Sequence, residues 1–306
     1  MLKVDAMKNI LLPITFICVF IFQTYAQPKT AAASEKGFNL NSVPTNAAST
    51  NPYFNYKGKL IIVGGGSMPD SLFEFFAQHC GGKDQPVVYI PTATTDEQYI
   101  QEGGHLVKFT SRGFTNLSTI HTRDKVKADD SKNIELLRNA KGIFFGGGDQ
   151  DLIAAAYGGT QLYKEMLALL DRGGVIMGTS AGATIMGALL VGGDARKDLT
   201  KNYPFQPAFS FIQNVDIDQH VLVRNRQFDL IPVIENHPTH LGVAIDESTA
   251  IIVEGNQFKV WGNSYVMVYD PKDWANQKAT WGKVLRPFKM LSSGQAFDLI
   301  SHQIKK

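Results

Sequence analysis

Cysteine is scarce: Cys18 and Cys80 are the only two among 306 residues. Because Cys18 falls in an N-terminal apolar stretch, no disulfide framework can be built, and stability has to come from a buried core. Cys80 closes an apolar helical segment just before Gly81-Gly82, which reads as a small buried hydrophobe rather than a nucleophile. Neither sign of charge is in excess. Thirty Lys and Arg stand against 28 Asp and Glu, for a formal net charge of +2, and no basic run provides an electrostatic footprint for nucleic acid. Nucleic-acid partners are therefore not expected. The apolar stretch 10–22 is shorter than the ~20 residues a helix needs to span hydrocarbon, so no stable membrane anchor is expected. Internal repeats are absent.

The N-terminus carries Lys3 and Lys8, then the apolar residues 10–22, then Thr24-Tyr25-Ala26. These read as the basic, hydrophobic and cleavage regions of a signal peptide over 1–26, giving a mature chain that starts near Gln27 and is secreted or periplasmic. Residues 27–56, rich in Ala, Ser, Asn and Thr, read as a flexible lead-in. A single domain is expected over 57–306, with 44% apolar residues across the chain to fill its core.

From Lys57 onward, short apolar runs alternate with longer amphipathic ones. Strands are expected over 60–63, 87–90, 117–120, 142–145 and 175–177, and helices over 71–80, 97–112, 131–139 and 160–172. This βα alternation predicts an α/β fold, a doubly wound, mostly parallel sheet in a three-layer α/β/α arrangement. After Val243 the segments 250–253, 258–261 and 265–269, with turn signals at Glu254-Gly255-Asn256 and Gly262-Asn263, predict antiparallel hairpins added to one edge near the C-terminus.

Three glycine-rich turns follow expected strands: Gly64-Gly65-Gly66-Ser67, Gly146-Gly147-Gly148-Asp149-Gln150 and Gly178-Thr179-Ser180-Ala181-Gly182. The carboxyl ends of the strands form the ligand crevice of such a sheet, so the three turns are expected to converge. The first lacks the Gly-x-Gly-x-x-Gly spacing and acidic partner of a dinucleotide loop, leaving a tight turn as the better reading. The third has the strand, small-residue turn and apolar helix (183–190) that a nucleophile elbow requires, with Ser180 as nucleophile and the Ala181 N–H facing an oxyanion. An ordinary helix cap at Thr179-Ser180 would look similar.

A hydroxyl nucleophile needs a base, and the base needs an orienting group. His220, in Asp218-Gln219-His220, is the candidate base, with Asp194, Asp198, Asp216 and Asp218 between it and Ser180. Arg224 and Arg226 just beyond suit bidentate recognition of a substrate carboxylate, although two arginines on a solvated helix face would be unremarkable. His237 and His240, with Glu235, suggest a metal site, but Pro238 breaks the helix that would align them and nothing completes the set; no metal is expected.

The turn Gly146–Gln150, the segment Gly178–Ala183, and Asp218-Gln219-His220 with Arg224 and Arg226 stand in the order found in the serine peptidase family of cyanophycinase and α-aspartyl dipeptidase, which the chain resembles from about Lys57 to Tyr269. The resemblance implies a fold related to class I glutamine amidotransferases, Ser180 as nucleophile, His220 as base, and an acid after the nucleophile helix, either Asp194 or Asp198. It implies an oxyanion hole completed by the Gly147 and Gly148 backbone. It also implies a pocket of Gln150, Asp218, Gln219, Arg224 and Arg226 that reads an aspartyl unit. The match departs at Asp229, where the family usually carries a further arginine; a negative charge there would repel a second substrate carboxylate or attract a cationic side chain.

The expectation is therefore a secreted serine-type peptidase acting on aspartyl or β-aspartyl peptides without a cofactor, its partners being the peptide substrate and, as an open option, a second copy in a homodimer. Two rivals stand beside it. One is an α/β-hydrolase-type esterase, which would place its histidine near the C-terminus, where His302 stands. The other is a secreted peptide-binding protein that keeps the crevice without the chemistry.

Overall fold

A computed structural model describes residues 51–192, 205–275 and 287–305. Five strands are parallel: β1 (Lys59–Val63), β2 (Val87–Ile90), β3 (Leu117–Thr119), β4 (Gly142–Phe145) and β5 (Val175–Thr179). All but β3 are buried almost throughout, as expected of parallel strands covered on both faces. The alternation within β1 shows the two faces. Ile61 and Val63 pack with Phe73 and Phe76 of α1 (Asp70–Cys80) and with Phe109. Leu60 and Ile62 belong to the opposite layer with Ile153, Met166 and Leu170.

The first face thus holds α1 and, beyond α2 (Glu97–Gln101), α3 (Leu106–Thr110). The second holds α5 (Ser131–Asn139), α6 (Gln150–Tyr157) and α7 (Gln161–Asp171), entered through the single turn of α4 (Lys125–Ala128). This is the doubly wound three-layer arrangement that the sequence predicts. Local signals set the helix ends. Gly81, at φ 91°, closes α1 in the left-handed conformation. The Asp129 carboxylate accepts the Gln161 and Leu162 N–H groups at 3.0 and 2.9 Å and so caps α7 from outside.

Two expectations change. The helix expected over 97–112 is two short ones, because Gly103 and Gly104 both take positive φ (91° and 50°) between α2 and α3. The helix expected over 183–190 is one turn, α8 (Ala181–Thr184). Its continuation tightens into Met186 N–H to Ala183 O and Gly187 N–H to Thr184 O bonds, after which Ala188 donates to Val215 O instead.

The C-terminal region is more than hairpins on one edge. β8 (Thr249–Glu254) pairs antiparallel with β1, and β9 (Gln257–Gly262), β12 (Ala296–Asp298) and β13 (Gln303–Lys305) extend that edge, giving the order β13-β12-β9-β8-β1-β5-β4-β2-β3. A second sheet is built from β6 (Val215–Gln219), β7 (Leu241–Ile245), β10 (Val266–Tyr269) and β11 (Lys289–Leu291), in the order β11-β10-β7-β6. In it β6 and β7 are parallel, joined through α9 (Leu230–Asn236), while α10 (Pro271–Ala275) follows β10. The chain leaves the small sheet for the large one at Asp246-Glu247-Ser248, between β7 and β8.

Candidate active site

Ser180 directly follows β5 with φ 56° and ψ −116°, a conformation that costs a non-glycine residue about 1–3 kcal/mol. The bend is held by close backbone packing. A Cβ on Gly178 would lie 2.1 Å from Gly182 O, and one on Gly182 would lie 2.5 Å from Phe145 O, so neither position admits a side chain. Ser180 occupies the cap position of α8, yet its hydroxyl makes no cap bond. It lies 2.9 Å from His220 Nε2 instead. The strained turn therefore presents the hydroxyl to an imidazole, as a nucleophile elbow does.

His220 stands at the end of β6 with φ 55°, its N–H donated to Gly64 O at 2.9 Å. Its ring rests on the first glycine turn: a Cβ on Gly65, itself at φ 111°, would lie 2.1 Å from the imidazole Cε1. That turn is a seat for the histidine. On the other side of the ring, Nδ1 is 2.6 Å from Glu247 Oε1. Ser248 fixes the corner by donating its N–H to Gly65 O at 2.8 Å. Asp194 and Asp198, the acids expected here, lie outside the described residues, and the group on Nδ1 is Glu247. Glu247 lies beyond His220, outside the stretch where the acid is expected. The available signal was an acidic pair, Asp246-Glu247, directly after the apolar run 241–245, at a strand's carboxyl end.

His220 is only 7% exposed. Burial lowers its pKa below the ordinary imidazole value; the hydrogen bond donated to Glu247 and that residue's charge oppose this, and the charges of Arg224 and Arg226 add to it. The ring is neutral around pH 7 and, with Glu247 accepting from Nδ1–H, leaves Nε2 free to accept the serine proton.

The second glycine turn lies beside the nucleophile. A Cβ on Gly147 would sit 3.2 Å from Ser180 Cβ and 3.6 Å from its Oγ. Gly146 and Asp149 donate to Ile90 O and Ala93 O, which pins the turn, and Gly148 between them packs against Ala93. Gln150 opens α6; its buried amide donates to Gly192 O at 3.2 Å. Gly192 in turn lies over Asp218, whose Oδ1 would be 2.2 Å from a Cβ there. Asp218 and Gln219 are buried at the end of β6, and Arg226 is buried with its guanidinium 3.4 Å from Gln219 O. Burial pushes the Asp218 carboxyl up to about 7, against the opposing effects of the Gln219 N–H and Arg226. Arg224 is exposed and Asp229 half-buried on the same turn. Gln150, Asp218, Gln219 and Arg226 are thus contiguous with the Ser180–His220 pair.

The other histidines have different partners. His302 does find an acid, Asp270 at 2.8 Å, but its Nε2 faces the Tyr53 hydroxyl at 2.9 Å, so the pair ties the start of the described chain to its end. Ser180 is already partnered by His220, and the esterase arrangement loses its histidine. His240 bonds Asp216 at 3.0 Å and stacks on His237; among the described residues no cluster of His, Cys, Asp and Glu could hold a metal ion. Burial pushes the Cys80 thiol up to about 12, so it is no nucleophile. No helix among the described residues is long and apolar enough to cross a membrane.

Comparison with known proteins places the chain in a family. The model of peptidase family S51 matches residues 59–261. Cyanophycinase from Synechococcus elongatus is 27% identical over 271 residues, spanning 84% of each chain. Cyanophycinase from Geminocystis herdmanii is 29% identical over 197 residues, 63% of this chain and 72% of that one. The crystal structure of a peptidase from an acI-B1 Actinobacterium shares the fold at a TM-score of 0.62 and 20% identity, covering 81% of this chain and 98% of that one. The chain belongs to peptidase family S51 and is a cyanophycinase-like, serine-type peptidase that acts on peptide substrates.

Proposed function

We propose that the protein hydrolyses aspartyl or β-aspartyl peptide bonds through Ser180, His220 and Glu247. The observation that carries this reading is the unbroken hydrogen-bonded line from Ser180 Oγ to His220 Nε2 (2.9 Å) and from His220 Nδ1 to Glu247 Oε1 (2.6 Å). Ser180 attacks the scissile carbonyl while His220 takes its proton and then returns it to the leaving amine; Glu247 holds the Nδ1–H tautomer and stabilises the imidazolium. Backbone N–H groups of Ala181, Gly147 and Gly148 receive the oxyanion.

The aspartyl preference rests on Arg224 and Arg226 next to the base, which suit a substrate carboxylate. Asp218 Oδ2 and Gln219 Oε1 are buried acceptors without a hydrogen-bond partner among the described residues. Mass spectrometry of products from an α- and β-aspartyl peptide library tests the class: cleavage next to aspartyl units is expected, and release from aspartate-free peptides alone would sink it.

Export completes the proposal. The basic, apolar and small-residue order of residues 1–26 supports a cleaved signal and a secreted or periplasmic enzyme. N-terminal sequencing of the mature protein should begin near Gln27; a retained Met1 would refute export by this route.

A further inference from the structure

His220 does not hold its place alone. It opens a turn that closes on itself: Arg224 N–H donates to His220 O at 3.0 Å, Asn225 N–H to Leu222 O at 3.1 Å and Arg226 N–H to Val221 O at 2.7 Å. The N–H groups of Leu222 and Val223 leave the turn and both enter one carboxylate oxygen, Asp246 Oδ1, at 2.9 and 3.1 Å. The other oxygen of Asp246 accepts the Ser264 hydroxyl at 2.6 Å. Asp246 is buried, its own N–H bonded to Tyr265 O at 3.2 Å, and the next residue in the chain is Glu247.

We propose that Asp246 is a positioning residue for the reaction, locking the turn that carries His220, Arg224 and Arg226 onto the corner that carries Glu247. The two halves come from different strands, β6 and the end of β7; the ladder between them closes at Gln219 and Ile245, followed by a long Val221 N–H to Ile245 O bond of 3.5 Å, and the His220 N–H is tied to Gly64 O, which leaves the far side of the turn, Leu222 and Val223, free to tilt unless Asp246 holds it. Bonds from two consecutive backbone N–H groups to one carboxylate oxygen remove that freedom, since charge-assisted bonds are short and directional. Catalytic geometry tolerates little slack; a displacement of about 1 Å can cost on the order of 100-fold in rate. The inference rests on the Ser180–His220–Glu247 reading but is independent of the aspartyl preference.

The test is the rate at which a fluorophosphonate labels Ser180 as a function of pH, with thermal melting measured alongside. The groups facing the His220 ring are Ser180, Glu247 from the corner, and Arg224 and Arg226 from its own turn. In Asp246→Ala, labelling should slow by about tenfold or more, and its acid limb should move to lower pH, because the Glu247 contact that holds the imidazole up is loosened. Asp246→Asn should recover most of the loss, since an amide oxygen still accepts from Leu222 and Val223. A folded Asp246→Ala protein that labels at the wild-type rate with the wild-type pH profile, whatever its melting temperature, would overturn the proposal. Should Asp246→Ala not fold, Ser264→Ala decides: it frees one oxygen of the carboxylate and should slow labelling about threefold with the same direction of limb shift, and an unchanged profile counts against Asp246. Because the label needs no peptide, failure to cleave aspartyl peptides leaves this inference standing, whereas a wild-type protein that does not label at Ser180 overturns both.

Discussion

His220 Nδ1 and Glu247 Oε1 lie 2.6 Å apart across 27 residues of chain, the imidazole at the end of one strand and the carboxylate at the corner where the chain changes sheets. The tautomer of the base therefore depends on a glutamate far from it in sequence. Glu247→Gln can donate an amide N–H to Nδ1, which forces the proton onto Nε2 and turns it away from its role as acceptor for Ser180. A fall in kcat of roughly 10³-fold or more is expected, with Asp194→Asn and Asp198→Asn falling far less. Steady-state kinetics on a cleaved peptide check this, and the reverse ranking would move the acid back to the 194–198 segment.

The pH profile follows from the state of the same imidazole. Its protonated form cannot accept from Ser180, so kcat/KM falls as pH drops through the His220 pKa. Burial, helped by Arg224 and Arg226, holds that pKa low against the pull of Glu247. The acid limb should therefore bend below the ordinary imidazole value of about 6.5. A limb centred above 7 would mean that the carboxylate dominates.

Asp218 makes a prediction about stability. Its folded pKa of about 7 stands above the ordinary carboxyl value of about 3.9. Between these values the folded protein keeps a proton that the unfolded chain releases, so stability falls as pH rises from about 4 to 7. Asp218→Asn carries no such loss. It should match wild type near pH 4 and exceed it at pH 8 by on the order of 4 kcal/mol, read as several degrees in Tm. A less stable Asp218→Asn at pH 8 would show that the charged carboxylate is well held.

His302 separates chemistry from architecture. His302→Ala removes the acceptor of the Tyr53 hydroxyl and the partner of buried Asp270. A loss of about 3 kcal/mol is expected, with kcat of the folded fraction within about twofold of wild type. A collapse of kcat with little change in Tm would revive the esterase reading.

Much of the parallel core was legible in the sequence, because its strands are short apolar runs bounded by glycine turns and its longer helices keep a clear period. Ser180 was legible for the same reason, as a serine between glycines at a strand end. His220 stood out only through its polar neighbours. Glu247 is marked only as half of an acidic pair at the end of an apolar run, and nothing local ties that pair to a histidine 27 residues away. The small sheet was hidden as well: β6 and β7 pair in parallel through α9, and alternation alone does not say which sheet a strand joins. The shortness of α8 was masked by its apolar continuation, which packs as irregular chain against β6.

The most direct test of the account is the turnover of a cleaved peptide by Ser180→Ala beside the wild type, with circular dichroism confirming the fold. A fall of at least about 10⁴-fold in kcat is expected; a Ser180→Ala protein that keeps wild-type turnover would show that Ser180 is not the nucleophile.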